Sequence, residues 1–124
     1  NSIFNMLERK PAELQDMAQR FHEALGKHGI SSFVMDSEGY CGGGAMPGEG
    51  VQSFAVKLNI KFDSNKEKSL FGEKMYLELM ARTQPVVSIL KKGELFFDML
   101  TMQEDELSLV ADIVNEVYQE AGKP

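Results

Sequence analysis

Apolar residues recur at helical spacing in three stretches of the chain, and these stretches predict three helices. The first runs from about Pro11 to Lys27, because proline suits the first helical turn and because Gly26 and Gly29 follow the last apolar position. The second covers roughly Leu70 to Arg82, after a polar stretch, DSNKEK, that is typical of a loop. Each helix would bury its apolar stripe against a common core.

The third helix opens with the sequence TMQE, which has the form of a capping box. The Thr101 hydroxyl and the Glu104 carboxylate are expected to satisfy backbone N–H groups at the helix start, and Gly122 to end the helix.

Before the third helix, two apolar runs are joined at Lys92-Gly93, where glycine supplies the positive φ of a tight turn. The stretch PVVSILKKGELFFDM therefore predicts a β-hairpin.

Two further strands are predicted between the first and second helices. One spans about Ser31 to Ser37. The other lies in VQSFAVKLNIKF, where Phe54, Val56 and Leu58 alternate with other residues, so these three face the core and Lys57 faces water. The order α-β-β-α-β-β-α then predicts a two-layer α+β sandwich, with a four-stranded sheet and three helices on one face.

Composition and charge exclude several classes of function. With 124 residues, 43% of them apolar, the chain suits a single domain over residues 1–124. The net charge of −6 disfavours a nucleic-acid surface, which needs clustered Lys and Arg. A single cysteine favours a reducing compartment, and we find no membrane span or signal peptide, so we expect a cytoplasmic protein. Because the chain begins without Met and with apolar residues, we expect a piece of a longer protein, with residues 1–10 leading into the domain.

The stretch CGGGAMPGEG, between the first two predicted strands, is rich in glycine. It is not a Walker A phosphate loop, because no Gly-Lys-Ser/Thr follows, and it is not a dinucleotide fingerprint, because it leads into a strand. A hairpin connection and the wall of a ligand cleft both remain open. A hairpin needs only one or two residues with positive φ, so Gly42, Gly43 and Gly44 exceed what a turn requires.

Other residues that could carry chemistry are scattered along the chain. Cys41 could act as a nucleophile, but a nucleophile needs a base, and nothing in the sequence places His22 or His28 near it. The two histidines do not have the i, i+4 spacing of a helical metal pair, so surface or cap roles are favoured. Four acidic residues could meet at one edge of the sheet, although solvated turns are their usual place: Asp36, Glu38, Glu49 and Asp98. The residues alone define no self-contained catalytic constellation.

Two stretches, GGGAMPGEGVQSFAV and QPVVSILKKGELFFDMLTM, together resemble the C-terminal domain of bacterial selenocysteine synthase, the L-seryl-tRNA(Sec) selenium transferase family. That family has a Gly-Gly-Gly-x-x-Pro loop before a strand that begins near a Ser. It then has a helix, a Pro-Val-Ile strand, a turn with Gly, and a strand ending in Leu-Asp-Leu-Arg-Thr. The order and spacing match over nearly the whole chain, and NMLERKPAELQDMAQRF resembles the helix that enters this domain. The matching residues are Gly42, Gly43, Gly44, Pro47, Ser53, Pro85, Val86, Val87, Gly93, Leu95, Asp98 and Thr101.

The resemblance implies the small domain of a fold-type I pyridoxal-phosphate enzyme, a selenocysteine-synthase-like transferase, inactive alone. The large domain of the parent would carry the Schiff-base lysine and the pyridoxal phosphate. We assign no lysine of this chain to the cofactor, so the chain alone would bind none. The implied partners are that large domain and, for the full-length protein, further copies of itself, whereas this domain alone is not expected to bind tRNA or a membrane. The implied cleft-lining residues are Gly42, Gly43, Gly44, Pro47 and Asp98.

One position departs from the family pattern, since Leu100 stands where the family has Arg. An arginine near such a cleft is a natural bidentate partner for a carboxylate or another anion. A parent that acts on another small amino acid or amino sugar acid, or that has lost activity, is therefore an alternative to a selenium transferase. From a different class of function, the alternative is a free-standing α+β interaction module without catalytic activity, which binds a partner through its sheet face or its glycine-rich stretch.

Overall fold

A four-stranded antiparallel sheet and three helices make up the described part of the chain. A computed structural model describes residues 10–38, 52–83 and 85–122. The elements in chain order are α1 (Pro11–Lys27), β1 (Ser32–Glu38), β2 (Gln52–Leu58), α2 (Asn65–Met80), β3 (Ile89–Lys91), β4 (Glu94–Asp98) and α3 (Leu107–Ala121). Two short 3-10 turns, Met99–Thr101 and Glu104–Glu106, join β4 to α3. The predicted order and the α+β class are confirmed.

Helix α1 has the predicted bounds, and its end is determined by backbone geometry. Gly29 has a φ of 80°, and the N–H of Ile30 donates to the carbonyl of Leu25 at 3.0 Å. The N–H of Gly29 also donates to the carbonyl of Gly26 at 3.0 Å, which completes a Schellman motif. Gly29 therefore ends the helix, as predicted, whereas Gly26 lies inside it.

The strands lie in the order β1-β2-β4-β3, and the register separates the sheet into two faces. Val56 pairs with Val34 on one side and Phe97 on the other, and it is fully buried. Since directly paired residues project from the same face, these three face the helices. The ring of Phe97 contacts that of Phe21 on α1, with centroids 5.5 Å apart. Helices α1 and α2 contact the strands, and α3 packs on both of these helices.

We call the other side of the sheet the open face. It is formed by alternate residues of all four strands, as the register requires. Its members are Phe33, Met35, Ser37, Ser53, Ala55, Lys57, Ile89, Lys91, Glu94, Phe96 and Asp98. Phe54, Val56 and Leu58 are buried on the helix side and Lys57 lies on the open face, so the predicted alternation is confirmed.

Two predicted helix starts are wrong. Helix α2 begins at Asn65, inside the stretch predicted as a loop, because the Ser64 hydroxyl accepts a hydrogen bond from the N–H of Glu67 at 3.1 Å. The capping box at Thr101 and Glu104 is not formed, and α3 begins only at Leu107. The Thr101 hydroxyl instead donates to the Asp98 carbonyl at 2.8 Å.

The hairpin turn between β3 and β4 lies directly against α2. Lys92 and Gly93 both have positive φ, 53° and 78°, which is typical of a type I′ turn and confirms the predicted hairpin. A Cβ at Gly72 of α2 would lie 2.5 Å from the carbonyl oxygen of Gly93. The glycine in the middle of α2 therefore permits a close backbone contact that another residue would block.

Among the described residues, no helix is long and apolar enough to cross a bilayer.

Candidate functional site

The candidate site lies on the open face, where β4 ends at Asp98. In β4, Leu95 and Phe97 face the core, so Phe96 and Asp98 project to the other side. Asp98 pairs directly with Ala55 of β2, and Ser53 is the next residue of β2 on the same face. The strand pairing thus places a carboxylate beside two small residues.

The Asp98 carboxylate is almost completely buried, with 2% of the residue exposed, and it accepts three hydrogen bonds. Its Oδ1 accepts from the hydroxyl of Ser53 at 2.7 Å and from the N–H of Leu100 at 3.0 Å. Its Oδ2 accepts from the hydroxyl of Ser37 at 2.8 Å. A buried charge needs such donors to offset the loss of hydration, and hydrogen bonds to a carboxylate are stronger than those between neutral groups. We call this arrangement the Asp98 cluster (Asp98, Ser37, Ser53 and the Leu100 N–H).

A cavity of about 380 Å³ opens on the same face beside the Asp98 cluster. Its lining combines apolar side chains of the strands with a few polar groups. The lining residues are Met35, Asp36, Ser37, Ala55, Ile89, Lys91, Phe96 and Asp98. Four of the eight lining residues are apolar and four are polar or charged, a combination that suits a small-ligand site or a socket for a partner's side chain.

A second charged group lies further along the open face, at Glu94. Its carboxylate is 3.1 Å from the Lys68 ammonium and 3.6 Å from that of Lys57. The hydrogen bond from Lys68, together with the charges of both lysines, lowers the pKa of Glu94 below its ordinary value, although partial burial opposes this shift. Lys57 also lies over the ring of Phe33, 5.5 Å from its centroid. Both ammonium groups therefore already have a partner within the domain.

The sequence-predicted cleft residues divide into two groups. Gly42, Gly43, Gly44 and Pro47 lie outside the described residues, as do Cys41 and Glu49. Asp98 is described, and it lies at the wall of the cavity. The sequence predicts no role for Ser37 or Ser53, although Ser53 is one of the positions that match the family pattern. The available signal was their position, since each is a hydroxyl residue close to the glycine-rich stretch, one on either side.

The histidines have contacts on the helix side of the molecule. His22 Nδ1 lies 2.7 Å from the Ser32 hydroxyl, and His28 Nε2 lies 2.7 Å from the Asp112 carboxylate. His28 is also the C-cap residue of α1. Within residues 10–38, 52–83 and 85–122, no group of His, Cys, Asp and Glu side chains has an arrangement that could hold a metal ion.

Leu100, which stands where the family pattern has an arginine, is a core residue. It is 1% exposed and belongs to the main hydrophobic cluster, while its N–H donates to Asp98. This position therefore contributes its backbone to the Asp98 cluster and its side chain to the core.

Comparison with known proteins gives consistent matches. A family model described as L-seryl-tRNA selenium transferase (SelA) matches residues 2–103. The chain is also similar to a protein of Wolinella succinogenes named L-seryl-tRNA(Sec) selenium transferase, with 30% identity over 106 residues. The aligned region covers 86% of this chain but only 21% of that relative, so the chain spans about a fifth of the length of the curated relative it matches.

Proposed function

Because the chain belongs to the L-seryl-tRNA selenium transferase family, we propose that it forms the small domain of a selenocysteine-synthase-like, pyridoxal-phosphate-dependent transferase. In this role it closes over the active-site cleft of a longer protein and lines it with the open face. Its contribution is to orient groups and to exclude water, and the reaction itself belongs to the rest of that protein.

The open face carries this proposal. Phe33 is 49% exposed and Met35 is 37% exposed. On the open face, Met35 lines the cavity, and the Lys57 ammonium lies over the ring of Phe33. An antiparallel sheet is stable with one face in water when that face is polar, whereas adjacent exposed apolar side chains mark a contact surface. The segment that matches the relative is about a fifth of it, at 21%, which leaves a large remainder in such a protein to cover this face.

Two lysines near the open face form ion pairs with one carboxylate. Lys57 and Lys68 share the Glu94 carboxylate, so neither ammonium is free to form a Schiff base. Pyridoxal phosphate, held by the large domain, would supply the electron sink for the reaction.

A pair of methionines allows a direct test. Met35 on the open face and Met80 at the end of α2 are 37% and 40% exposed, so hydroxyl radicals should oxidise them at similar rates in the 124-residue chain. In the full-length gene product, the oxidation rate of Met35 should fall several-fold, because the open face is then covered, while that of Met80 should change little. The readout is peptide mass spectrometry of both forms after the same radical dose.

Two results would contradict the proposal. One is equal oxidation of Met35 in both contexts, and the other is a natural gene product that consists of these residues alone. Either would favour the free-standing interaction module, for which Met35 becomes protected only when a separate partner is added.

A further inference from the structure

We propose that Asp98 is a positioning residue that holds the ends of β1 and β2 together and so sets where residues 39–51 leave the sheet and rejoin it. Its importance for a reaction rests on the proposed function, which places this edge of the sheet at the cleft. The positioning itself is a property of the 124-residue chain and can be tested without any reaction.

The Asp98 cluster links β1 and β4, two strands that are not hydrogen-bonded to each other in the sheet. The strand order is β1-β2-β4-β3, so β4 pairs with β2 and β3 but not with β1. The hydrogen bond from the Ser37 hydroxyl to Asp98 Oδ2, at 2.8 Å, nevertheless joins β1 to the end of β4. This side-chain bond spans β2 and adds a restraint that the backbone hydrogen bonds do not supply.

Small residues on β2 make this crossing possible. Ala55 lies directly opposite Asp98, and Ser53 lies directly opposite Ser37. Ala55 and Ser53 are 2% and 0% exposed, so the crossing leaves almost no free surface above them. A larger residue at position 55 would occupy the space through which the carboxylate reaches β1.

The Asp98 carboxylate joins the end of β1 to the start of β2. Ser37 is the residue before the last of β1, and Ser53 is the residue after the first of β2. Each of the two carboxylate oxygens accepts from one of these serines, at 2.8 Å and 2.7 Å. The residues between the strands therefore start and finish at two points that one side chain holds in a fixed relation.

Asp98 is itself restrained by hydrogen bonds from the residues that follow it. Its Oδ1 accepts from the N–H of Leu100, and its carbonyl accepts from the hydroxyl of Thr101 at 2.8 Å. The short 3-10 turn at Met99–Thr101 therefore restrains both the carboxylate and the backbone of Asp98. A side chain oriented in this way suits a positioning role, since its geometry is determined by packed neighbours.

Two replacements separate hydrogen bonding from charge. Asp98→Ala removes all three acceptor contacts, whereas Asp98→Asn keeps the shape and one carbonyl oxygen. The asparagine amide can donate to the Ser37 hydroxyl, which is able to accept as well as to donate. If the role of Asp98 is positioning, asparagine should restore most of what alanine loses.

The experiment uses the 124-residue chain. Hydrogen exchange of backbone amides near Ser37 and Ser53 should be about 10- to 100-fold faster in Asp98→Ala, the change expected when a hydrogen bond to a charged group is lost. Amides of the β3–β4 hairpin turn serve as the internal control. Ser37→Ala, which removes only the bond that crosses β2, should accelerate exchange at the end of β1 alone.

Each outcome decides the proposal. Faster local exchange in Asp98→Ala that asparagine reverses supports it. Unchanged exchange at Ser37 and Ser53, or an asparagine variant that behaves like alanine, overturns it. If Asp98→Ala does not fold, Ser37→Ala decides in its place, and unchanged exchange in that variant overturns the proposal. Protection of Met35 in the longer protein is measured separately, so failure of the positioning role and failure of the proposed function can be told apart.

Discussion

Replacing Gly72 with alanine tests the contact between α2 and the β3–β4 hairpin. In a helix interior, alanine is favoured over glycine by about 1 kcal/mol, so a helix considered alone would gain stability from this change. In the folded protein, however, the new Cβ would lie 2.5 Å from the carbonyl oxygen of Gly93 and 3.3 Å from its carbon. Both are backbone atoms, and a type I′ turn with two positive φ values has little freedom to move away.

The size of the effect follows from these two opposing contributions. Adding a methyl group to a tightly packed site costs about 1–3 kcal/mol, which exceeds the gain in helix propensity. A real Cβ essentially never lies 2.5 Å from a backbone oxygen, so the cost here is near the upper end, about 2–3 kcal/mol, and we expect Gly72→Ala to lower the free energy of unfolding by about 1–2 kcal/mol. Gly26→Ala is the matched control, since Gly26 also lies in a helix but has no atom within 4 Å of its added Cβ. That variant should raise the free energy of unfolding by about 0.5–1 kcal/mol.

Urea unfolding followed by far-UV circular dichroism measures both changes through the midpoint concentration, provided that the slope is unchanged. The two variants should shift the midpoint in opposite directions. If Gly72→Ala instead raised the midpoint as much as Gly26→Ala does, α2 would not contact the hairpin as described, and the orientation of β3 and β4 would have to be revised.

The remaining predictions concern Leu100 and Glu94. Leu100→Arg, which introduces the residue of the family pattern, should destabilise the 124-residue chain by several kcal/mol, because Leu100 is only 1% exposed. Leu109→Arg should have little effect, because Leu109 is 53% exposed, and equal melting temperatures of the two variants would contradict the core position of Leu100. Since the pKa of Glu94 is lowered by folding, its contribution to stability is present above the ordinary value of 4.5 and is lost as the pH falls through the lower folded-state pKa. Glu94→Gln should therefore be less stable than wild type at pH 7 and equally stable at a pH below the folded-state pKa of Glu94. A difference in stability between the two proteins that does not change with pH would refute the ion pairs assigned to Glu94.

Several elements could be predicted from the chain because neighbouring residues determine them. The bounds of α1, the hairpin at Lys92-Gly93 and the alternation of Val56 with Lys57 all agree with the structure. A helical apolar stripe, a turn that requires positive φ and a two-residue alternation are each local patterns whose physical cause lies within a few residues. The α+β class follows from the order of these elements.

Helix starts show where local patterns stop being sufficient. Ser64–Glu67 and Thr101–Glu104 both have the Ser/Thr-x-x-Glu form of a capping box, but only the first caps a helix. At the second, the Thr101 hydroxyl donates to the carbonyl of Asp98, and Glu104 accepts from the guanidinium of Arg20 on α1 at 2.7 Å. A local hydrogen bond and an ion pair with a distant helix therefore compete with the cap, and the local sequence does not reveal the second of these contacts.

Two of the three hydrogen bonds of the Asp98 cluster join residues that are far apart in the chain. Asp98 is 61 residues from Ser37 and 45 from Ser53, and one hydrogen bond crosses a strand that lies between its partners. The sequence identifies Asp98 as a candidate through a family resemblance, but it does not reveal that the carboxylate is buried and joined to both serines. Residues close in the chain reveal which helix or strand forms, because propensity and periodicity act over short distances. The strand order, the register and the packing of side chains bring together groups that are far apart in the chain, and these determine where a buried charge can be satisfied.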